Sequence, residues 1–197
     1  RGAGPRNFLF DGVETAPTVV CLARPQARAT QDAIAAKGIS VQSMPDTRWA
    51  RCDIKTVMLL PASLAKEKAK ITGAQEAWFV GEDGKVREGG SSNAWIINKD
   101  NELITPKATN EILRGITRTT LIDLLERDGL KLVERGFTIE EAQNAREAFI
   151  TSATNLVMPV VEIDGRPVGN GHPGSTSVQL RQSFHEVAQM RQLSSTV

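Results

Sequence analysis

Apolar residues in this chain fall into short β-branched runs broken by Gly, Pro, Asp and Asn, with a few longer stretches at helical spacing. The run Pro17 to Arg24 is β-branched and bounded by prolines, which predicts a buried strand. Gln26 to Lys37 has helix composition and stops at Gly38, and Ile39 to Met44 returns as a strand. Ala62 to Ile71 places Leu64, Ala65 and Ala69 among lysines, the pattern of an amphipathic helix that ends at Gly73.

Short strands then follow at Ala77–Val80, Val86–Glu88, Ala94–Asn98 and Leu103–Ile104, with turns at 82–84 and 99–101. Their succession predicts an antiparallel meander. Ile116 to Arg127, closed by Gly129, is a further helix, and Leu130 to Glu134 a further strand. Thr138-Ile139-Glu140-Glu141 matches a capping box and opens a short helix. Strands are expected at Ala148–Thr151 and Met158–Ile163, around a Ser/Thr/Asn turn. Asp164-Gly165 is a hairpin signal, and Ser177 to Leu193 is a closing helix. The sum is an α+β fold with a strand-rich core and no internal repeat.

At 197 residues and 40% hydrophobic, the chain can bury a proper core. Twenty-four basic residues against twenty-three acidic ones give a formal charge of +1 without a charged tail, so nothing calls for nucleic acid. Cys21 and Cys52 lack metal-ligand spacing, and His172 and His185 are the only histidines, which argues against a zinc site or a disulfide framework. No apolar run reaches the roughly 20 residues of a membrane helix, and cytoplasm is the default expectation. The opening Arg1-Gly2-Ala3-Gly4-Pro5-Arg6 reads like a turn between elements, so a preceding N-terminal part is expected.

Four segments carry candidate chemistry. Lys55 lies among Ile54, Val57, Met58, Leu59 and Leu60; apolar surroundings desolvate an amine and favour the neutral nucleophile, although a lysine snorkelling from a strand end fits the same pattern. Glu88-Gly89-Gly90-Ser91-Ser92-Asn93 joins two strands through small residues that admit a flat ligand, with a carboxylate at the entrance; a plain glycine-rich turn is the alternative. Arg114-Gly115-Ile116-Thr117-Arg118 opens a helix whose first amides could meet an anion, or are simply capped. Thr151-Ser152-Ala153-Thr154-Asn155 is a polar turn suited to phosphate or carboxylate, or an ST-turn with no ligand.

Taken in order, Arg51-Cys52-Asp53-Ile54-Lys55, the Glu88–Asn93 run, Leu113–Arg118, and Phe149–Ser152 with Pro159-Val160 resemble the signature of the fold-type IV pyridoxal-phosphate aminotransferases. The Arg51–Lys55 run points to the D-amino-acid transaminase branch. The resemblance covers nearly the whole chain. It implies the strand-rich, barrel-like large domain of that group. Residues 1–46 would be the end of an interdomain connection with the first strands, and residues 47–197 the cofactor-binding domain. By the same resemblance Lys55 forms the internal aldimine of pyridoxal 5′-phosphate and shuttles a proton from the substrate Cα, in a ping-pong exchange between a D-amino acid and a 2-oxo acid. Glu88 binds the pyridine nitrogen, Leu113 packs on the ring, and Gly115, Ile116 and Thr117 hold the phosphate. Ser152, Ala153 and Thr154 take phosphate and, at Thr154, substrate carboxylate, while Ser91 and Ser92 line the pocket. Relatives in the family dimerise, so a homodimer is expected.

Three departures from the family pattern stand out. Nothing here matches the family's N-terminal small domain or its phosphate-binding arginine. Arg6 matches the arginine of the family's carboxylate-trapping Arg-x-His, but Phe8 stands where the histidine is expected. Ala153 replaces a threonine whose hydroxyl often contacts phosphate. These keep other readings open: an (R)-amine or branched-chain aminotransferase, an aminodeoxychorismate lyase, or a non-catalytic piece of such an enzyme.

Overall fold

A computed structural model of the chain describes residue 8 and residues 16–127 and 131–187. In chain order these form α1 (Arg28–Ala35), β1 (Ile39–Pro45), α2 (Leu60–Ile71), β2 (Glu76–Val80), β3 (Val86–Gly89), β4 (Asn93–Ile97) and β5 (Leu103–Thr105). Then come α3 (Ile116–Arg127), β6 (Leu132–Glu134), α4 (Ile139–Gln143), β7 (Glu147–Ser152), β8 (Leu156–Ile163), β9 (Arg166–Pro167) and α5 (Ser175–Val187). The fold is α+β, as the pattern of short strands and separate helices implies.

Local sequence explains most boundaries. Gly38 ends α1 at φ +76°, a conformation side chains with a Cβ avoid, and the chain turns directly into β1. Thr138 Oγ1 accepts from the Glu141 amide at 3.1 Å and caps α4, but the Glu141 carboxylate pairs with Arg135 instead of returning to the Thr138 amide, so only half of the expected capping box forms. Asp164 and Gly165 take φ +52° and +75°, the pair of left-handed residues a two-residue hairpin needs, and return β8 onto β9.

All nine strands among the described residues join one sheet in the order β3-β2-β1-β8-β7-β4-β5-β6, with β9 on β8. This corrects the expected meander. β2 pairs β3 and β4 pairs β5 antiparallel, but β3 and β4 lie far apart in the ladder and β1 runs parallel to both β2 and β8. The three residues between β3 and β4 cannot span a flat sheet of that order, so the sheet curls until its β3 edge comes back beside β4, where the Gly89 amide donates to Ser92 O at 2.6 Å. The result is a half-barrel.

The period-two alternation of each strand sorts side chains onto the two faces of that curl. Ala94, Ile96, Ile150, Met158 and Val160 join Val41, Trp78 and Phe137 in one core. Trp95, Ile97, Phe149 and Val157 point the other way and are covered by Leu121 and Leu125 of α3 and Leu180 of α5. Ala65 and Ala69 of α2 lie on Ala77 and Phe79.

A second correction concerns Pro17–Arg24. Residues 16–27 form no regular structure, and Val19, Val20 and Leu22 are 77%, 75% and 83% exposed. A β-branched run becomes a strand only where another strand accepts its hydrogen bonds, and among the described residues none lies alongside. The Gly129 stop and the end of the last expected helix beyond Val187 lie outside the described residues.

Candidate functional site

The expected carboxylate sits in a dense set of donors. Glu88, the penultimate residue of β3, is 5% exposed. Arg48 Nη1 lies 2.5 Å from its Oε1, Asn93 Nδ2 donates to Oε2 at 3.0 Å, and the Leu113 amide donates to both oxygens at 3.1 and 3.0 Å. Arg48 is itself fixed by both oxygens of Asp46, donates to the Glu111 carbonyl at 3.2 Å, and stacks 4.4 Å over the Phe79 ring. Burial pushes the Glu88 carboxyl up to about 7 even though the Arg48 guanidinium pulls it the other way. Burial also works against the Arg48 charge, but Asp46 and Glu88 outweigh it and hold the guanidinium protonated.

These contacts gather the other expected elements. Asn93 opens β4 opposite Thr151 of β7, so the Glu88 corner adjoins the turn at Ser152. Asn93 Nδ2 also donates to the Leu113 carbonyl at 2.8 Å, and its Oδ1 sits where a Cβ on Gly115 would be, at 2.5 Å. Glycine at 115 therefore lets the start of α3 close onto β4. The first amides of α3, at Ile116 and Thr117, have no intrahelical acceptor by helix geometry and are left to an external one. Leu113 presents its amide to Glu88 rather than to solvent and remains only half-buried.

Lys55 lies on the loop between β1 and α2. The loop is stapled to the segment before α3: the Cys52 amide donates to Asn110 O at 2.8 Å, and Asn110 Nδ2 to Ala50 O at 2.8 Å. Together with the Arg48–Glu88 pair, this carries the lysine to the same end of the sheet as Glu88, Leu113 and Ser152. Among the described residues the expected apolar burial of the amine is absent. Lys55 is exposed, and so are Ile54, Val57, Met58 and Leu59 of this loop and Leu60 at the start of α2, because no described element covers them. The neighbouring ion pair, Arg51 with Asp53 at 2.8 Å, involves neither Lys55 nor Glu88.

The turn after β7 is tight, with Ser152 Oγ accepting from the Asn155 amide at 3.1 Å and lying 3.5 Å from Thr154 Oγ1. Ala153 and Thr154 are exposed. Ser91 and Ser92 are engaged elsewhere: both hydroxyls donate to Oε2 of the buried Glu76, at 2.9 and 3.2 Å, and Lys66 Nζ donates to Ser91 Oγ at 2.9 Å. The small residues at 89 and 90 make room for protein, since a Cβ at Gly90 would lie 2.9 Å from Lys66 Cγ. Arg6, expected to take the substrate carboxylate, lies outside the described residues.

Sequence reasoning passed over Arg48, Asp46 and Glu76. A buried carboxylate demands a cation or several donors, so Glu88 signalled that a partner existed, but the separation of forty positions from Arg48 hid which one.

A half-barrel with a lysine-bearing loop and a buried, pinned carboxylate has counterparts. Residues 1–163 match the family described as Amino-transferase class IV, and the chain belongs to it. Among curated relatives it is 38% identical to the D-alanine aminotransferase of Staphylococcus haemolyticus over 97% of this chain and 66% of that protein, and 40% identical to that of Bacillus licheniformis over 93% and 63%. The chain thus spans just under two thirds of the length of these relatives. Among solved structures, the branched-chain amino acid aminotransferase of Thermobaculum terrenum in its PLP form is 32% identical with a TM-score of 0.69, covering 76% of this chain and 50% of that one. The branched-chain aminotransferase of Thermoproteus uzoniensis with norvaline is 27% identical with a TM-score of 0.66, covering 77% and 52%.

Proposed function

We propose that this chain is the lysine- and carboxylate-bearing part of a pyridoxal-phosphate-dependent aminotransferase that moves an amino group between a D-amino acid and a 2-oxo acid. The observation that carries the reading is the Glu88 corner. Three donors make four hydrogen bonds to this buried carboxylate and fix it in place, and a protonated pyridine nitrogen is the further N–H we assign to it, sharing an oxygen with the bifurcated Leu113 amide. A carboxylate held there against its burial cost favours the protonated ring. The chemistry the cofactor supplies when bound is electron withdrawal from the substrate Cα.

The remaining roles follow from this chain's own groups. Lys55, on a long side chain in an open loop, anchors the cofactor covalently and holds or returns the proton at Cα. The Ile116 and Thr117 amides, beside Gly115, and the Ser152–Thr154 turn bind the phosphate as dipole-assisted and neutral donors, with Thr154 also reaching the substrate carboxylate and Leu113 lying against the ring. Arg6 supplies charge to that carboxylate. We read residues 1–46 as connection and first strands and 47–197 as the cofactor domain, in a cytoplasmic homodimer. Among the described residues, no helix is long and apolar enough to cross a membrane.

The D-amino-acid assignment is supported by relatives at 36–40% identity over most of the chain, against 26–32% for the branched-chain structures. Borohydride treatment of the cofactor-loaded protein at its natural length should fix pyridoxyl label on Lys55 alone, and label mapped to Lys66 or Lys68 would sink the assignment. A panel of D-alanine, L-valine and (R)-amines then separates the branches, with D-alanine expected to be turned over fastest.

A further inference from the structure

The turn that carries Ser152, Ala153 and Thr154 closes through a residue in an unfavourable conformation. Leu156, paired with Ser152 across the hairpin, has φ +56°, a backbone region that glycine enters freely and leucine avoids. Such a residue persists where its surroundings over-determine it. The group that does so here is Arg181 of α5, itself 7% exposed. Its Nη1 donates to the carbonyl of Asn155 at 2.7 Å and to that of Val157 at 2.8 Å, the two residues flanking Leu156. Its Nε and Nη2 donate to Asp32 Oδ1 of α1 at 3.2 and 2.8 Å, which aims the guanidinium plane.

We propose that Arg181, aimed by Asp32, is a positioning residue that clamps the Ser152–Leu156 turn in the shape that binds the cofactor phosphate; this rests on the phosphate role given to the turn above. A guanidinium suits the task because its rigid fork reaches both carbonyls and the carboxylate at once, which a lysine ammonium cannot do. A leucine at 156 makes the turn depend on that clamp. The charge of Arg181 stays behind the turn, engaged by two carbonyls and Asp32, so it acts on the phosphate only through the shape of the loop.

Equilibrium titration of the protein at its natural length with pyridoxal 5′-phosphate and with pyridoxal, followed by absorbance, gives the phosphate contribution as a ratio of affinities. Arg181→Met and Arg181→Lys are each expected to lower that ratio about tenfold, the loss of one hydrogen bond from the misshapen turn to the phosphate, while affinity for pyridoxal holds. Adding Leu156→Gly to either variant should restore most of the ratio. Amide hydrogen exchange at residues 153–157 in the cofactor-free protein should speed up about tenfold in the Arg181 variants and slow again with Leu156→Gly. Arg181→Lys keeps a cation beside Asp32, so it serves where Arg181→Met fails to fold. An unchanged ratio or unchanged exchange in Arg181→Lys overturns the clamp. A ratio near one in the wild type, with exchange still answering to Arg181, overturns the phosphate reading and the clamp's role in binding with it.

Discussion

The Glu88 corner and the Lys55 loop lie at the same end of the sheet and are built on opposite principles. Glu88 is buried, and its two oxygens are held by Arg48, Asn93 and the Leu113 amide, each held in turn by something else. Lys55 and its apolar neighbours are exposed, with Val57 at 93%. The carboxylate half of the site is thus completed within this chain, while the lysine half presents an apolar rim with nothing described against it. Stability and activity should therefore separate across the two regions. Lys55→Ala is expected to lower transamination by at least about 10³-fold while changing stability by less than about 0.5 kcal/mol. Steady-state rates and urea unfolding check both; a large stability loss would erase the contrast.

The next largest effect is expected on the other side. Arg48→Met removes the cation from a buried pair and strands Glu88 and Asp46, an arrangement that costs about 3–5 kcal/mol. A proton can stand in for the missing cation on Glu88. The penalty measured by urea unfolding should therefore be largest at pH 8 and shrink towards pH 5. A penalty independent of pH would mean that the loss came from packing on Phe79 and not from the charge.

Glu88→Gln tests the same corner with a smaller change. Burial raises the folded carboxyl from 4.5 to about 7, so the folded state holds the proton more tightly than the unfolded chain does. The stability this group contributes is complete below pH 4.5 and is lost as pH rises through 7, by up to about 3 kcal/mol. Without cofactor, the variant's stability should fall less between pH 5 and 8 than the wild type's. Its turnover should fall more than its cofactor affinity, because a neutral partner no longer favours the protonated ring.

The contrast also marks what the sequence could reveal. Glycine stops at 38 and 73, the Thr138 cap and the Asp164-Gly165 turn are local, and helix and strand positions follow from them with errors of a residue or two. Glu88 and the α3 start are adjacent to such punctuation and were readable too. Pairing order was not, because the crossover from β1 to β8 and the return of β3 beside β4 depend on curvature, which no window of a few residues encodes. Arg48 and Arg181 were hidden for a related reason, since Arg48 meets Glu88 across forty positions and Arg181 meets Asp32 across 149. The Pro17–Arg24 run shows the converse. A strand-like pattern states a capacity, and a partner decides whether it is used.

The smallest expected effect concerns the glycine loop, where the two regions meet. Ser92 is buried, and its hydroxyl donates to Glu76 Oε2 at 3.2 Å alongside Ser91, with Lys66 Nζ 3.4 Å away and the Ala77 amide on Oε1. Glu76 therefore keeps three partners when Ser92 is lost, and the half-exposed Lys66 adds little because water screens it. Ser92→Ala should cost about 1 kcal/mol, the net worth of one hydrogen bond in a site that stays otherwise satisfied. Alanine adds no atom at 92, and Gly89 carries no Cβ to meet it, so the substitution introduces no clash in the loop. Cofactor affinity should then stay within about twofold of the wild type, measured by the same titration used for the phosphate turn. A tenfold loss with unchanged stability would move Ser92 from the Glu76 cluster into the cofactor site, and would show that the loop's hydroxyls serve the ligand and not only the fold.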